Sequence, residues 1–288
     1  MAAAMPHVDG VEHRYADVDG LRMHYAEAGD SAADVVLLVH GWPENWWAWR
    51  HLIEPLSRRF RVIAPDLRGL GWTDAPPGGY EKSQLARDVV GLMDVLGVER
   101  ARWVGHDWGS FAGFHAMFDN PDRFERFMPL SMPHPWPPEG APDPKRLLRL
   151  WYQALLASPV LGRLAIKQGF PAQALRKSRK AGSWSDEELE LYGELGKRPG
   201  YTEAMVQYYR TFLLHEMLPL ARGAFRDHRL TVPTRLVVGR SDAIARDMGD
   251  EYRKYADDMT IEYVEGAAHW LPEEKPDAVL EHALDFLP

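Results

Sequence analysis

The 288-residue chain contains no cysteine. That excludes a disulfide framework, a thiol nucleophile and cysteine-ligated zinc, and it is compatible with the cytoplasm, the expected location. No apolar stretch approaches the roughly 20 residues of a membrane-spanning helix. The opening MAAAMPHVDGVEHRY has no basic start leading into an apolar run, so no secretory signal and no membrane association are expected. Positive charge is not in excess: the net charge of −8 argues against nucleic-acid binding, which relies on basic surfaces. Internal repeats and low-complexity linkers are also missing. What is present is an ordinary globular composition, long enough to bury a substantial core without staples. Arginine far outnumbers lysine, and alanine, glycine and proline are plentiful, as in proteins from GC-rich bacterial genomes.

Along the chain, strand and helix patterns alternate. RYADVDGLRMHYAEAG (14–29) places a DG turn between alternating runs and reads as an antiparallel hairpin. DVVLLV (34–39) and RVIAP (61–65) are continuously apolar after their first residue, as strands buried on both faces are. Leu85, Val89, Leu92, Met93 and Leu96 recur at helical spacing before Gly97. ARWVG (101–105) reads as a strand, FAGFHAMFDNP (111–121) as a helix and RFMPLS (126–131) as a strand. MPHPWPPEGAPDP (132–144) then breaks the pattern, because its prolines forbid regular structure.

From 145 to about 222 only helical segments follow: KRLLRLWYQALL, SDEELELYGEL with a capping box between Ser185 and Glu188, and YTEAMVQYYRTFLL. Alternation resumes with TRLVVG (234–239), a helix over 247–256, MTIEYVEG (259–266) and a helix near 276–287. A helical insertion therefore interrupts an α/β core. Its natural seat is the carboxyl edge of a parallel sheet, where such sheets bind ligands.

VGHDWGS (104–110) ends a strand in a sharp glycine-flanked turn with Asp107 at its tip. The spacing small-x-nucleophile-x-small suits a side chain held on a strained strand-to-helix turn, with a helix N-terminus aimed at it. A helix N-cap is the plainer use of such an aspartate. An elbow nucleophile needs an acid and then a histidine further along the chain. Asp242 in LVVGRSD and His269 in EGAAHW each follow an expected strand; Asp247 and Asp250 are nearby competitors on the next helix. His40-Gly41-Trp42-Pro43 follows the first long parallel strand, and Pro43 permits a cis bond. The amides of Trp42 and Trp108 are expected to converge on one oxygen as an oxyanion hole, with His40 structural. Glu44 and His106 suit supporting, packing or surface roles.

With HGWPENWWAWR (40–50), APDLRGLGWTD (64–74), VGHDWGS, GRSD and GAAHW in place, the chain resembles the α/β-hydrolase superfamily over nearly its whole length, and within it the epoxide hydrolases. The resemblance implies a mostly parallel eight-stranded sheet flanked by helices, with a helical cap inserted after the sixth strand. Residues 1–133 and 223–288 would form the core and 134–222 the cap. It implies Asp107 as nucleophile, Asp242 as relay acid and His269 as base. It further implies two cap tyrosines holding the epoxide oxygen: Tyr152, and Tyr209 with Tyr208 as the alternative. As ordinary half-buried aromatics, the same tyrosines would carry no chemistry.

An ionised carboxylate needs no base to attack the saturated carbon of an epoxide. Tyrosine stays protonated at neutral pH and can donate to the leaving oxygen. No metal or organic cofactor is required. Trp42, Trp108, Trp136 and Trp270 are the tryptophans expected to line a pocket for a small apolar epoxide. A homodimer is an open expectation. The rivals are a haloalkane-type dehalogenase with the same triad, in which Trp108 could bind the halide, and a binding protein on a retired hydrolase scaffold. A serine-type esterase is disfavoured by the aspartate at position 107.

Overall fold

The structure is a computed structural model that describes residues 4–138, 150–177, 184–246 and 248–288. An eight-stranded sheet forms its centre, in the order β1-β2-β4-β3-β5-β6-β7-β8. The strands are β1 (Glu12–Val18), β2 (Leu21–Ala28), β3 (Val35–Val39), β4 (Arg61–Pro65), β5 (Ala101–His106), β6 (Phe124–Leu130), β7 (Thr234–Gly239) and β8 (Met259–Val264). β1 pairs antiparallel with β2, and β2 antiparallel with β4. The remaining neighbours are parallel. The β1–β2 turn is Asp19-Gly20, with φ of 50° and 81°. Two left-handed residues in succession give the turn twist that a two-residue hairpin requires.

Helices cover both faces, which is why β3 is apolar at every position. Val36 and Leu38 of β3 join one core cluster, with α1 (Arg50–Ser57) and the C-terminal helix; Val35, Leu37 and Val39 join the other, with α2 (Lys82–Val95) and α3 (Trp108–Asp119). Period-two alternation along one strand thus feeds two cores. α3 begins directly after Asp107, three residues earlier than the sequence pattern suggests, because the elbow turn itself opens the helix.

Between β6 and β7 the described residues form α4 (Trp151–Ala157), α5 (Leu161–Lys167), α6 (Phe170–Lys177), α7 (Asp186–Leu195) and α8 (Tyr201–Thr211). A π-helical turn (Phe212–Glu216) and α9 (Met217–Ala221) complete the insertion. α7 carries the expected capping box: the Ser185 hydroxyl accepts from the Glu188 amide at 3.2 Å, and the Ser185 amide donates to the Glu188 carboxylate at 2.7 Å. The start of the helix expected at KRLLRL lies outside the described residues, as does Asp247. Beyond β7, the helix expected over 247–256 is confined to α10 (Tyr252–Tyr255). The chain closes with α11 (Leu271–Glu274) and α12 (Pro276–Phe286).

The insertion is tied to the sheet domain by polar contacts to the backbone. Tyr208 donates its hydroxyl to the Arg68 carbonyl at 2.9 Å, Tyr201 to that of Thr73 at 2.8 Å, and Arg198 to that of Gly71. Arg50 pairs with Glu188 of α7 at 2.9 Å.

Candidate active site

Four loops leave the carboxyl ends of β3, β5, β7 and β8 and converge. They carry Trp42, Asp107, Asp242 and His269 respectively. The sharpest is the elbow at Asp107, whose φ of 50° and ψ of −123° lie outside the comfortable regions for a residue with a Cβ. Its flanks explain how the turn closes. A Cβ on Gly109 would stand 2.1 Å from the Val39 carbonyl oxygen, and one on Gly105 would stand 2.7 Å from the Gly109 carbonyl oxygen. Both are backbone atoms that cannot swing away, so bulk is excluded on either side of the carboxylate.

Asp107 is almost fully buried, yet its two oxygens face different partners. Oδ1 accepts a 2.9 Å hydrogen bond from the Trp42 amide, and Oδ2 lies 3.5 Å from His269 Nε2. Gly41 permits the first contact, since a Cβ there would sit 2.5 Å from Oδ1. The Trp42–Pro43 peptide bond is cis. The Trp108 amide opens α3 immediately beyond Asp107. His269 Nδ1 lies 3.1 Å from Asp242 Oδ2, while Asp242 Oδ1 accepts from the amides of Ile244 and Ala245. Asp250, the competing acid, is exposed near Arg253.

Burial alone would pull the His269 imidazolium pKa down. The charge of Asp242 and hydrogen bonds to Asp107 and Asp242 overcome that effect and hold the pKa well above the usual histidine value. Burial likewise raises the Asp242 carboxyl, but the neighbouring imidazolium outweighs it and leaves the group below the ordinary carboxylate range.

Behind Asp107 and His269 a buried chain supports two of the loops. Glu44 Oε2 accepts from the Gly41 amide at 3.1 Å and pairs with His106 Nδ1 at 2.7 Å; His106 Nε2 reaches the His269 carbonyl oxygen at 2.8 Å. Burial opposes the charged form of His106, and the Glu44 carboxylate reverses that, leaving its pKa raised. The turn holding the Trp42 amide is therefore bonded to the backbone that carries His269. His40 acts structurally, accepting from the Leu67 amide at 3.0 Å.

A cavity of about 270 Å³ opens over Asp107 and His269. Tyr152 and Tyr209 line it, their rings 6.0 Å apart and nearly perpendicular, together with Trp42, Trp270, Phe170 and Ile244. Burial raises the pKa of both tyrosines, Tyr209 especially, so both remain protonated at neutral pH. Tyr208 points elsewhere, its hydroxyl committed to Arg68.

Two of the four expected pocket tryptophans, Trp136 and Trp108, are not among the residues lining this cavity. Trp136 is core: its indole donates to the Phe225 carbonyl at 2.8 Å and stacks on Tyr255. Its proline-rich surroundings suggest a loop over the pocket, but an apolar ring with a satisfied N–H packs more favourably behind α3. The Trp108 ring lies edge-on to Tyr209 at 5.8 Å and packs on Phe212 at 5.0 Å.

Lys82 and Glu216 escaped the sequence reading. Lys82 is fully buried beside Trp108, paired with Glu216 at 3.0 Å. The available signal was a lysine on the apolar stripe of α2, in phase with Leu85, Ala86 and Val89.

A mostly parallel sheet whose loops bring an elbow carboxylate, a histidine and a second carboxylate to one cavity has the architecture of a hydrolase. The sequence matches the family described as alpha/beta hydrolase fold over residues 34–276. It is 31% identical to the soluble epoxide hydrolase of Corynebacterium sp. (strain C12), covering 96% of this chain and 97% of that one. It is 29% identical to the AB hydrolase superfamily protein YfhM of Bacillus subtilis (strain 168), covering 97% and 99%. The solved structure of the epoxide hydrolase CorEH without ligand superposes with a TM-score of 0.84 at 30% identity, covering 96% of this chain and 98% of that one. The chain belongs to the α/β-hydrolase superfamily, in its epoxide hydrolase family, and is a hydrolytic enzyme.

Proposed function

We propose that the protein converts a small, largely apolar epoxide and water into a vicinal diol through a transient ester on Asp107. The observation that carries this reading is the pairing of an elbow carboxylate with two tyrosines across one cavity. Asp107 Oδ2, the oxygen free of the Trp42 amide, attacks an epoxide carbon. The ring C–O bond breaks, and Tyr152 or Tyr209 transfers its proton to the departing oxygen, giving a hydroxyalkyl ester and a tyrosinate. The inserted helices act as the cap that supplies these hydroxyls. Residues 134–222 form this cap, and the flanking segments form the core.

The ester controls the timing of the second half. While Asp107 is charged it helps hold His269 protonated. Esterification removes that charge, so the imidazole pKa falls; His269 passes its proton to the tyrosinate and becomes a competent base. It takes a proton from water, the hydroxide adds to the Asp107 carbonyl carbon, and the developing charge sits on Oδ1 opposite the Trp42 and Trp108 amides. Asp242 stabilises the imidazolium. Collapse regenerates the carboxylate as the added hydroxyl's proton passes to the departing oxygen, so the diol leaves and His269 is again protonated beside charged Asp107.

A panel of aliphatic and aromatic epoxides tests the reading, with a single turnover in H₂¹⁸O. The label is expected in Asp107 and not in the first diol released; solvent oxygen in that diol would exclude the covalent route. Halide release from bromoalkanes without diol formation would instead identify a dehalogenase. Binding of apolar ligands without turnover of either class would identify a retired scaffold.

A further inference from the structure

We propose that Lys82 and Glu216 form a buried clasp that positions Tyr209 over Asp107, acting through the Tyr208 carbonyl and the face of Trp108. This rests on the reading of Tyr209 as a proton donor in ring opening. The Lys82 ammonium spends its three protons on the Tyr208 carbonyl at 2.6 Å, Glu216 Oε2 at 3.0 Å and the Tyr80 carbonyl at 3.3 Å. It also lies 4.4 Å from the Trp108 ring centre, a cation–π contact with the residue that follows the nucleophile. Glu216 uses its second oxygen on the Lys82 amide at 2.8 Å, capping α2 where Glu81 offers no side-chain cap. One carboxylate from the insertion thus seals the first turn of a core helix and neutralises the cation buried beneath it.

The placement of this pair indicates its purpose. A leucine or methionine at this stripe position would bury without a charge penalty, whereas an ammonium here requires a partner. Burial drives the Lys82 pKa down, and Glu216 and Asp107 act against that. Glu216 ends a π-helical turn, a local irregularity frequent at functional sites, and that turn follows directly on the helix bearing Tyr209. Phe212, in the same turn, packs on Trp108 at 5.0 Å. The carbonyl held by Lys82 belongs to the residue before Tyr209. The clasp therefore holds the backbone just before the donor, the Glu216 side chain in the turn after it, and the indole beside the nucleophile. If the insertion lifts, the ion pair is lost as a unit, and so is the geometry of proton donation.

Ring opening uses Tyr209, whereas ester hydrolysis uses His269 and Asp242, so the two steps separate the clasp from a general stabilising role. The rate of ester formation on styrene oxide is read by rapid-quench intact mass in a His269→Gln background, where the ester persists. Ester decay is read with His269 present. Lys82→Met with Glu216→Gln removes both charges and keeps volume and a helix-capping oxygen. It is expected to slow ester formation by about tenfold or more, as a displaced donor does, and to leave ester decay within about twofold.

Added to Tyr209→Phe, the same pair should produce no further loss in ester formation. Should the double variant fail to fold, Glu216→Asp keeps the charges, shortens the reach and is expected to slow ester formation severalfold. Equal slowing of both steps, multiplicative loss with Tyr209→Phe, or unchanged ester formation in a folded variant would each overturn the clasp. Absence of diol from the unaltered enzyme on every epoxide tried would instead overturn the functional reading itself.

Discussion

His269 stands between two carboxylates, 3.5 Å from Asp107 and 3.1 Å from Asp242, and its protonation records both. Its folded-state pKa is raised above 6.5, so its contribution to stability is fully present below that value and declines as pH climbs through the higher folded-state pKa. Thermal denaturation as a function of pH is expected to show this decline above neutrality, and His269→Gln to flatten it. The same substitution should leave ester formation intact and slow ester decay by roughly a thousandfold, so that the alkylated enzyme accumulates in an intact-mass spectrum. Asp107→Asn should abolish ester formation under the same assay, with turnover reduced by at least about a thousandfold.

The elbow, as an element, depends on backbone approach more than on side-chain chemistry. Gly109 admits no Cβ because the Val39 carbonyl would lie 2.1 Å away. Gly109→Ala is expected to push α3 from β3, cost about 1–3 kcal/mol of stability, and lower turnover by displacing Asp107; urea denaturation and steady-state rates check the two effects separately. Gly41→Ala should differ. Its Cβ would meet the Asp107 side chain instead of backbone, so activity should fall with less loss of stability. The glycine pattern around position 107 was legible in the sequence because a turn's steric demands fall on its immediate neighbours. The helix start at Trp108 was less legible, since capping patterns do not announce a helix that opens directly from a strained residue.

Across the whole molecule, the sheet and the inserted helices share the cavity, and residues far apart in the chain decide its shape. Adjacent tyrosines show the consequence. Tyr208 bonds to Arg68 at 2.9 Å, while Tyr209 faces Asp107 across the cavity. Tyr208→Phe is expected to cost about 1 kcal/mol of stability, as loss of one buried hydrogen bond does, and Tyr209→Phe to act on ester formation instead. Arg50 joins Glu273 at 2.8 Å to Glu188 at 2.9 Å, linking α1 and α11 to the insertion. Removing it strands a buried carboxylate. Arg50→Ala should therefore destabilise the protein by about 3 kcal/mol, visible as a lower denaturation midpoint.

The order of strands and helices, the hairpin at Asp19-Gly20, the capping box at Ser185, and the chain order Asp107, Asp242, His269 were all readable from the sequence alone. Each depends on local periodicity, turn chemistry or the rule that ligands gather at the carboxyl ends of parallel strands. Tertiary structure decided which of Tyr208 and Tyr209 faces the cavity, because one residue along a helix rotates a side chain by about 100°. It turned Trp136 into core and set Asp242, not Asp250, beside the imidazole. It also paired Lys82 with Glu216 across 134 residues. Such pairings are settled by how the packed layers meet, and long-range packing leaves no periodic trace in the chain.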